Sequence, residues 1–159
     1  MTKPVRVGRT VATLFAGGLA VGAIFNSATA QEADLETKAR ETQQQYVAAW
    51  TSGDVEVLVE LFTEDAVYWP ASGGRIEGRE EIRRHFESTA TPTAAEISST
   101  HTEQMGDLVF DLGTVSMTMP EEGGGEIEAE YVVMAEQTED GLRIRRLIGF
   151  PTREMPRPQ

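Results

Sequence analysis

Apolar positions in the first half of the chain recur at helical spacing. In the segment QQQYVAAW, Tyr46 and Trp50 lie four residues apart, so a helix places both on one face. We predict that this helix runs over residues 32–51. Gly53 then suits a left-handed helix end, and Asp54 suits the N-cap of a second helix. The pattern therefore predicts two helices joined by a tight turn.

Two further elements follow before the period changes. The second helix is predicted over residues 55–62, and the apolar run AVYWP after it predicts a short strand that Pro70 ends. The segment REEIRRHFES predicts a third helix, since its acidic residues come first and its basic residues later, which matches the helix dipole. Ile82 and Phe86 lie four residues apart in this segment and form its buried pair.

Beyond Thr93 the apolar period is two, which is typical of strands. The glycine-rich EEGGGE and the pair Asp140-Gly141 mark hairpin turns. The predicted strands are Glu96–Gln104, Leu108–Met119, Glu126–Gln137 and Leu142–Phe150. Helices followed by such a meander predict an α+β domain, with the helices packed on one face of a curved antiparallel sheet.

The last hairpin has a register that its turn predicts. If Asp140 and Gly141 form a two-residue loop, alternate positions of the two strands fall on opposite faces. One face carries Tyr131, Val133, Ala135, Leu142, Ile144, Arg146, Ile148 and Phe150, and the other carries Val132, Met134, Glu136, Arg143, Arg145 and Leu147. The first face is the more apolar, so we expect it to meet the helices. Arg146 is its charged member, and it either extends out to water or binds an anionic ligand.

The N-terminal residues 1–30 have the pattern of a secretory signal peptide. A basic start, MTKPVRVGR, precedes a short apolar run, and Ala28-Thr29-Ala30 matches a cleavage site. We therefore predict an exported protein, periplasmic or secreted, whose single domain covers residues 31–159 with a frayed tail from about residue 152. The alternative is a retained membrane anchor, although the apolar run is shorter than a usual span of about 20 residues.

Composition narrows the partners and the chemistry. The formal net charge is −12, so the surface repels nucleic acid and anionic lipid, and we expect neither nucleic acid nor, after signal cleavage, a membrane as a partner. The chain has no cysteine, which excludes disulfides, a thiol nucleophile and thiolate metal ligands. His85 and His101 lack the i, i+4 spacing of a zinc pair, so no metal site and no cofactor are predicted.

Four stretches together resemble a known family. They are QYVAAWTSGDVEVLVELFTEDAVYWP, GRIEGREEIRRHF, GDLVFDLGTVSMTMPEEGG and EYVVMAEQTEDGLRIRRLI. These stretches are similar to the nuclear-transport-factor-2-like (NTF2-like) superfamily, in its SnoaL-like and ketosteroid-isomerase-like branch. The resemblance implies a cone, in which three N-terminal helices pack on a strongly curved antiparallel sheet and a pocket opens at the wide end.

The resemblance also implies where acid–base residues would lie. Ketosteroid isomerases of this fold use a tyrosine on the first helix, an aspartate on the first strand and a second acid on a later strand. Tyr46 falls on the tyrosine position, whereas Trp69 and Val133 fall on or near the two acid positions. Asp65 precedes the predicted first strand, and we place it in the helix-to-strand turn as a cap. The isomerase carboxylates are therefore not kept, and no catalytic residue is assigned.

The candidate ligand site is the pocket of the cone. Its predicted residues are Tyr46, Trp50, Trp69, Phe86, His101, Tyr131, Val133 and Arg146. His101 faces either the cavity, as an acid or base, or the solvent. We expect the pocket to bind a small, largely apolar molecule, or one that also bears a carboxylate for Arg146. The alternatives are a pocket enzyme of isomerase, cyclase or hydratase type, and a dimeric interaction module whose cone is filled.

The sheet face away from the helices predicts the assembly. It carries Val132, Met134 and Leu147, with Glu136 and Arg145 as a cross-strand pair. A contiguous apolar strip of this kind is typical of a contact surface. Members of the resembled superfamily often pair through this face, so we expect a homodimer.

Overall fold

The computed structural model describes residues 22–120 and 125–152. Three parts of the sequence-based prediction lie outside these ranges: most of the signal peptide, part of the EEGGGE turn, and the tail from residue 153. The predicted domain boundary at residue 31 falls within a helix that begins at Gly22. Within the described ranges, none of the helices combines the length and the apolar character that a membrane crossing requires.

Three helices precede the long strands, in the order that the apolar pattern predicts. The helices are α1 (Gly22–Ser52), α2 (Val55–Glu60) and α3 (Arg79–Ser88). Gly53 follows α1 with a left-handed φ of 73°, which glycine adopts without steric strain. The Asp54 carboxylate then accepts a hydrogen bond of 3.2 Å from the amide of Val57 and caps α2. The predicted helix end and cap are confirmed, although α1 begins earlier and α2 ends earlier than predicted.

Six strands form one curved, open sheet. The strands are β1 (Phe62–Trp69), β2 (Ile76–Glu77), β3 (Ala94–Met105), β4 (Leu108–Thr118), β5 (Glu126–Thr138) and β6 (Gly141–Pro151). Their spatial order is β2-β1-β6-β5-β4-β3, and all neighbours are antiparallel except β1 and β6, which are parallel. The expected purely antiparallel sheet is therefore mixed, because the meander β3–β6 ends beside β1. The α+β architecture of three helices packed on a curved sheet is confirmed.

β1 begins at Phe62, directly after α2, rather than at Ala66. Asp65 is therefore a strand residue, and its predicted role as a helix cap is wrong. Thr63 Oγ1 donates a hydrogen bond of 2.9 Å to the Asp65 carboxylate, and Arg145 Nη2 lies 3.4 Å from it. The hydrogen bond from Thr63 is the main reason why the pKa of this carboxyl lies below its ordinary value.

The β5–β6 hairpin does not have the predicted register. Thr138 pairs with Gly141, so its two-residue loop is Glu139-Asp140 rather than Asp140-Gly141. Gly141 has a φ of 121°, which places the left-handed residue at the first position of β6. The loop therefore lies one residue earlier than the usual glycine-containing turn predicts.

A β-bulge at Arg145 then changes the faces of the second half of β6. Beyond this extra residue, Leu147 and Gly149 face the helices, while Arg146 and Phe150 face away. The prediction that placed Arg146, Ile148 and Phe150 on the helix side is therefore wrong. For the same reason Leu147 does not belong to the outer strip predicted for the homodimer. Arg145 still reaches Glu136, with its Nε 3.7 Å from a carboxylate oxygen.

β3 contains a second bulge, which lies between Ser99 and His101. The extra residue, Thr100, interrupts the alternation of side chains along the strand. Ser99 and Thr102 consequently face the helices, where the hydroxyls of both donate hydrogen bonds to Asp111 of β4. His101, at the intervening position, faces outward.

The buried core consists of two apolar clusters on the helix side of the sheet. The larger cluster comprises Tyr46, Ala49, Leu58, Val59, Leu61, Phe62, Ala66, Ile82, Phe86 and Ile144. The smaller cluster comprises Leu35, Ala39, Val109, Ala135 and Leu142. Val133 packs against both clusters, so the two form adjoining parts of one interior.

Candidate functional site

A cavity of about 470 Å³ lies between the helices and the sheet. Side chains of α1, α3, β1 and β3–β6 form its wall, together with the loop that follows β1. Most of these side chains are aliphatic or aromatic. Volumes of about 300–1,000 Å³ with predominantly apolar walls are typical of small-molecule sites. The expected pocket is therefore present, and it is open rather than filled.

Aromatic rings form one part of the wall, at Tyr46, Trp50, Tyr68 and Phe86. Together with Phe62, which contacts three of them, they form the group that we name the aromatic cluster. The rings of Tyr68 and Phe86 stack with an interplanar angle of 13° and centroids 5.7 Å apart. Tyr46 meets Trp50 edge to face at 5.7 Å and Phe86 at 6.5 Å. Phe62 is fully buried behind them and touches three of the other rings. The helical spacing of Tyr46 and Trp50 explains why both reach the same cluster.

Another part of the wall is polar and carries Gln43, Asp111 and Tyr131. Together with Ser99 and Thr102, which bond to Asp111, these residues form the group that we name the Asp111 cluster. Ser99 and Thr102 donate hydrogen bonds of 2.6 and 2.7 Å to Oδ1 of Asp111. Tyr131 and Gln43 donate bonds of 2.7 and 3.1 Å to Oδ2. The two carboxylate oxygens accept from all four groups. Four directed bonds therefore fix Asp111, which is 5% exposed.

All three tyrosines of the chain line this cavity. Burial raises the pKa of Tyr46 well above its ordinary value, and the neighbouring Tyr68 raises it further. Burial likewise raises the pKa of Tyr68 to about 12. The pKa of Tyr131 rises through burial and through its hydrogen bond to Asp111, which Ser99 partly offsets. The three phenols therefore remain protonated donors at neutral pH.

His85 also lines the cavity, next to the aromatic cluster. Its ring meets Tyr68 edge to face, with centroids 5.4 Å apart, and it meets Phe86 at 5.6 Å. Partial burial lowers the pKa of His85, because burial disfavours the charged imidazolium. The imidazole is therefore neutral at pH 7, although the sequence attributed this histidine to the basic end of α3.

The structure brings five of the eight predicted site residues to the cavity wall. These are Tyr46, Trp50, Phe86, Tyr131 and Val133. Tyr131 and Val133 are alternate residues of β5, and Val133 pairs directly with Asp111 of β4. The other three come from α1 and α3, as their helical spacing predicts.

The remaining three predicted site residues lie outside the cavity. Trp69 follows Tyr68, which faces the cavity, so Trp69 faces the opposite side of β1, where the Arg75 guanidinium lies 5.6 Å from its ring centre. The bulge at Thr100 turns His101 outward, where its Nε2 lies 3.4 Å from Glu103. These two residues are therefore corrections to the predicted site.

Arg146 is the third correction. The bulge at Arg145 turns its side chain away from the helices, and its Nη1 donates to the backbone oxygens of Arg145 at 2.7 Å and Asp65 at 3.3 Å. The predicted contact with an anionic ligand depended on an inward Arg146. That reason for expecting a carboxylate-bearing ligand is therefore removed.

Asp111 is the main residue that the sequence analysis missed. It lies in the segment LVFDLGTV of β4, where Val109, Asp111, Gly113 and Val115 alternate with residues of the other face. Val109 and Val115 line the cavity, so the same alternation places the carboxylate there. A charged residue at the same alternate positions as the cavity-lining valines was the signal that could have revealed Asp111. Tyr68 and His85 were missed as well, since neither stands out from its neighbours in sequence.

The described residues contain no group of three or more histidine, aspartate or glutamate side chains placed to hold one metal ion. The polar groups of the wall are instead hydroxyl, amide, imidazole and carboxylate groups, and most of the other lining side chains are apolar. Such a wall suits an organic ligand that has few polar atoms.

Comparisons with known proteins agree with this architecture. Residues 44–147 match the family model of the SnoaL-like domain. A comparison with curated proteins finds no significant match. An NTF2-like protein with a cystatin-like fold from Novosphingobium aromaticivorans is 18% identical, with a TM-score of 0.71, over 88% of this chain and 95% of its own.

Two further solved structures have the same fold. A ketosteroid isomerase-like protein from Erwinia carotovora atroseptica is 13% identical, with a TM-score of 0.62, over 72% of this chain and 93% of its own. An NTF2-like protein from Cytophaga hutchinsonii is 14% identical, with a TM-score of 0.63, over 72% of this chain and 95% of its own. Likeness at this identity shows the fold, and the family model gives the family. The chain belongs to the SnoaL-like domain family, and it has the fold of the solved NTF2-like structures.

Proposed function

We propose that this domain binds a small, largely apolar molecule in its cavity. The observation that carries the proposal is an open space of about 470 Å³ with a mostly aliphatic and aromatic wall. An apolar molecule that fills such a space leaves water and gains dispersion contacts with the wall. The aromatic cluster supplies large flat surfaces, and the phenol groups of Tyr46 and Tyr68 supply isolated polar contacts.

Binding is better supported than an interaction module, and a pocket enzyme is the second candidate. An interaction module with a filled cone has no use for an open cavity. Acid–base catalysis needs a carboxylate or imidazole that is free to exchange a proton with a substrate. The oxygens of Asp111 already accept four hydrogen bonds, so this carboxylate would have to break one of them before acting as a base. The His85 imidazole also lines the cavity and is the group that an enzymatic role would use.

Fluorescence of N-phenyl-1-naphthylamine, a neutral apolar probe that emits strongly in apolar surroundings, tests the proposal. The matched variants are Val133→Trp and Val132→Trp, at adjacent positions of β5. Val133 lines the cavity and Val132 faces the other side of the sheet. The wild type should bind the probe, and Val133→Trp should weaken binding by about tenfold or more, equivalent to about 1.4 kcal/mol. Val132→Trp should bind as the wild type does.

Two results would contradict the proposal. One is a wild type that gives no saturable increase in probe emission. The other is an equal loss of affinity in two tryptophan variants that both keep the circular dichroism spectrum of the wild type, because that would place the probe outside the cavity.

A further inference from the structure

Asp111 brings a negative charge to a wall that is otherwise mostly apolar. The side chain is 5% exposed and lines the cavity. None of the ion pairs among the described residues includes Asp111. Its four partners are neutral hydroxyl and amide groups, which solvate the charge but do not cancel it. The Asp111 carboxylate therefore gives the cavity a negative electrostatic potential, which acts on any ligand bound there.

The cavity also presents a free acceptor beside this charge. Gln43 uses its Nε2 to contact Ser99 at 2.7 Å and Asp111 at 3.1 Å. The carboxylate fixes this amide orientation, because the opposite one would set two acceptor oxygens against each other. Gln43 Oε1 then has no partner among the described side chains, and none of the enclosed polar atoms of the described residues is left unpaired. This oxygen therefore has accessible surface, and its residue is one of those that line the cavity.

We propose that the Asp111 cluster selects, among small apolar molecules, those that carry an ammonium or hydroxyl group, and that it disfavours those that carry a carboxylate. The inference rests on the proposed binding function. The donor group of the ligand bonds to Gln43 Oε1, and a positive charge on it is also attracted by the Asp111 carboxylate. A ligand carboxylate meets an acceptor and a like charge at the same place.

Ligands that share one alkyl chain isolate this effect. An ammonium and a carboxylate both lose hydration on entering the cavity. The difference between the affinities of the two ligands therefore reports mainly the sign of the local electrostatic field. An alcohol adds a donor without a charge. We therefore expect the affinity order octylamine, 1-octanol, octanoate, because each step removes one favourable interaction with the Asp111 cluster.

Displacement of N-phenyl-1-naphthylamine by octylamine, 1-octanol and octanoate tests the inference at neutral pH and about 0.15 M salt, where long-range attraction to the acidic surface is screened. The wild type should release the probe at an octylamine concentration about tenfold lower than the octanoate concentration, the effect expected of a hydrogen bond to a charged group. Asp111→Asn should bring these two concentrations close together. Glu130→Gln removes the same charge from an exposed site of β5 and should keep the wild-type order.

A second variant keeps the test decisive if Asp111→Asn does not fold. Gln43→Leu removes the free acceptor while Asp111 keeps its charge and its hydrogen bonds from Ser99, Thr102 and Tyr131. Gln43→Leu should raise the concentrations of octylamine and 1-octanol needed for displacement and lower that of octanoate, because the carboxylate no longer meets the acceptor oxygen. Circular dichroism identifies which variants are folded.

The outcomes separate this inference from the proposed function. A wild type that binds the probe but releases it equally to octylamine and octanoate overturns the inference and leaves the binding function intact. The inference is overturned in the same way if both folded variants keep the wild-type order of ligands. A wild type that does not bind the probe at all overturns the binding function, and the inference falls with it.

Discussion

The aromatic cluster and the Asp111 cluster lie on the wall of one cavity but are held together by different forces. Phe62 and its neighbouring rings meet at centroid distances of 5.7 to 6.5 Å and are held by surface contact alone. Asp111 is held by four hydrogen bonds of 2.6 to 3.1 Å. The stabilisation from ring contacts depends on the volume that the side chains fill. The stabilisation from a hydrogen bond depends on the presence of one donor and one acceptor atom.

This difference indicates separate tasks for the two clusters. Ring contacts tolerate small shifts, so the aromatic cluster can adapt to ligands of several shapes. A buried network with all partners satisfied holds one arrangement, because a misplaced atom leaves a donor or acceptor unpaired. The aromatic cluster therefore suits affinity for apolar surface, and the Asp111 cluster suits discrimination between polar groups.

Truncation of the aromatic cluster should have the largest effect on stability. Phe62 has no exposed surface and contacts Tyr46, Tyr68 and Phe86. Phe62→Ala should lower the free energy of unfolding by about 3–5 kcal/mol, since it removes buried apolar surface and leaves a void. Urea denaturation followed by circular dichroism measures this loss.

Phe150→Ala is the matched control for that measurement. Phe150 is 44% exposed and lies on the other side of the sheet, so its truncation should change the free energy of unfolding by less than about 0.5 kcal/mol. A loss for Phe150→Ala as large as that for Phe62→Ala would show that the outer face is covered in solution. It would also remove the contrast between the interior and the outer face.

Single-atom changes should distinguish the two clusters directly. Tyr131 and Tyr46 are both 7% exposed, so their rings are equally buried. The Tyr131 hydroxyl donates to Asp111, whereas the Tyr46 hydroxyl makes no hydrogen bond to the side chains that the structure describes. Tyr131→Phe should therefore lower the free energy of unfolding by about 1 kcal/mol, and Tyr46→Phe should leave it almost unchanged. Chemical denaturation of both variants under one condition makes the comparison, and equal losses would refute the distinction.

The part of the site that the sequence predicts well is the part that helices build. Tyr46, Trp50 and Phe86 reach the cavity because the period of an α-helix is regular from residue to residue. Gly53 follows α1 with a left-handed backbone, and the Asp54 carboxylate caps α2. Both roles can be predicted from the residue type and its neighbours in sequence. These features need no knowledge of distant contacts, and the structure has them as predicted.

The part that the sequence misses depends on two bulges. Strict alternation would place Arg146 and His101 toward the helices, and one extra residue in each strand, Arg145 and Thr100, reverses their faces. The bulge in β3 requires close contact with β4, where a Cβ at Gly113 would overlap the carbonyl oxygen of Ser98. A glycine in a strand suggests such a bulge but does not show which partner strand contains it.

The smallest predicted effect is a pH dependence at the edge of the aromatic cluster. Partial burial lowers the pKa of His85 in the folded protein below its ordinary value of about 6.5. The unfolded chain then binds a proton more readily, so the contribution of His85 to stability is complete above about pH 6.5 and is lost as the pH falls through the folded pKa. The His85 ring contacts Tyr68, and His85 also lines a surface groove together with Arg75, Glu77, Glu81 and Arg84.

Comparison with His85→Gln isolates this contribution from the carboxyl groups that titrate at lower pH. Between about pH 7.5 and 5.5 the wild type should lose more stability than His85→Gln, because glutamine takes up no proton. The loss should be smaller than that of Tyr131→Phe, since the imidazole is only partly buried. His101→Gln removes the histidine outside the cavity and is the matched control. Urea midpoints across this pH range measure the difference, and a wild type that gains stability on acidification relative to His85→Gln would show that the ring is stabilised by protonation rather than by its contact with Tyr68.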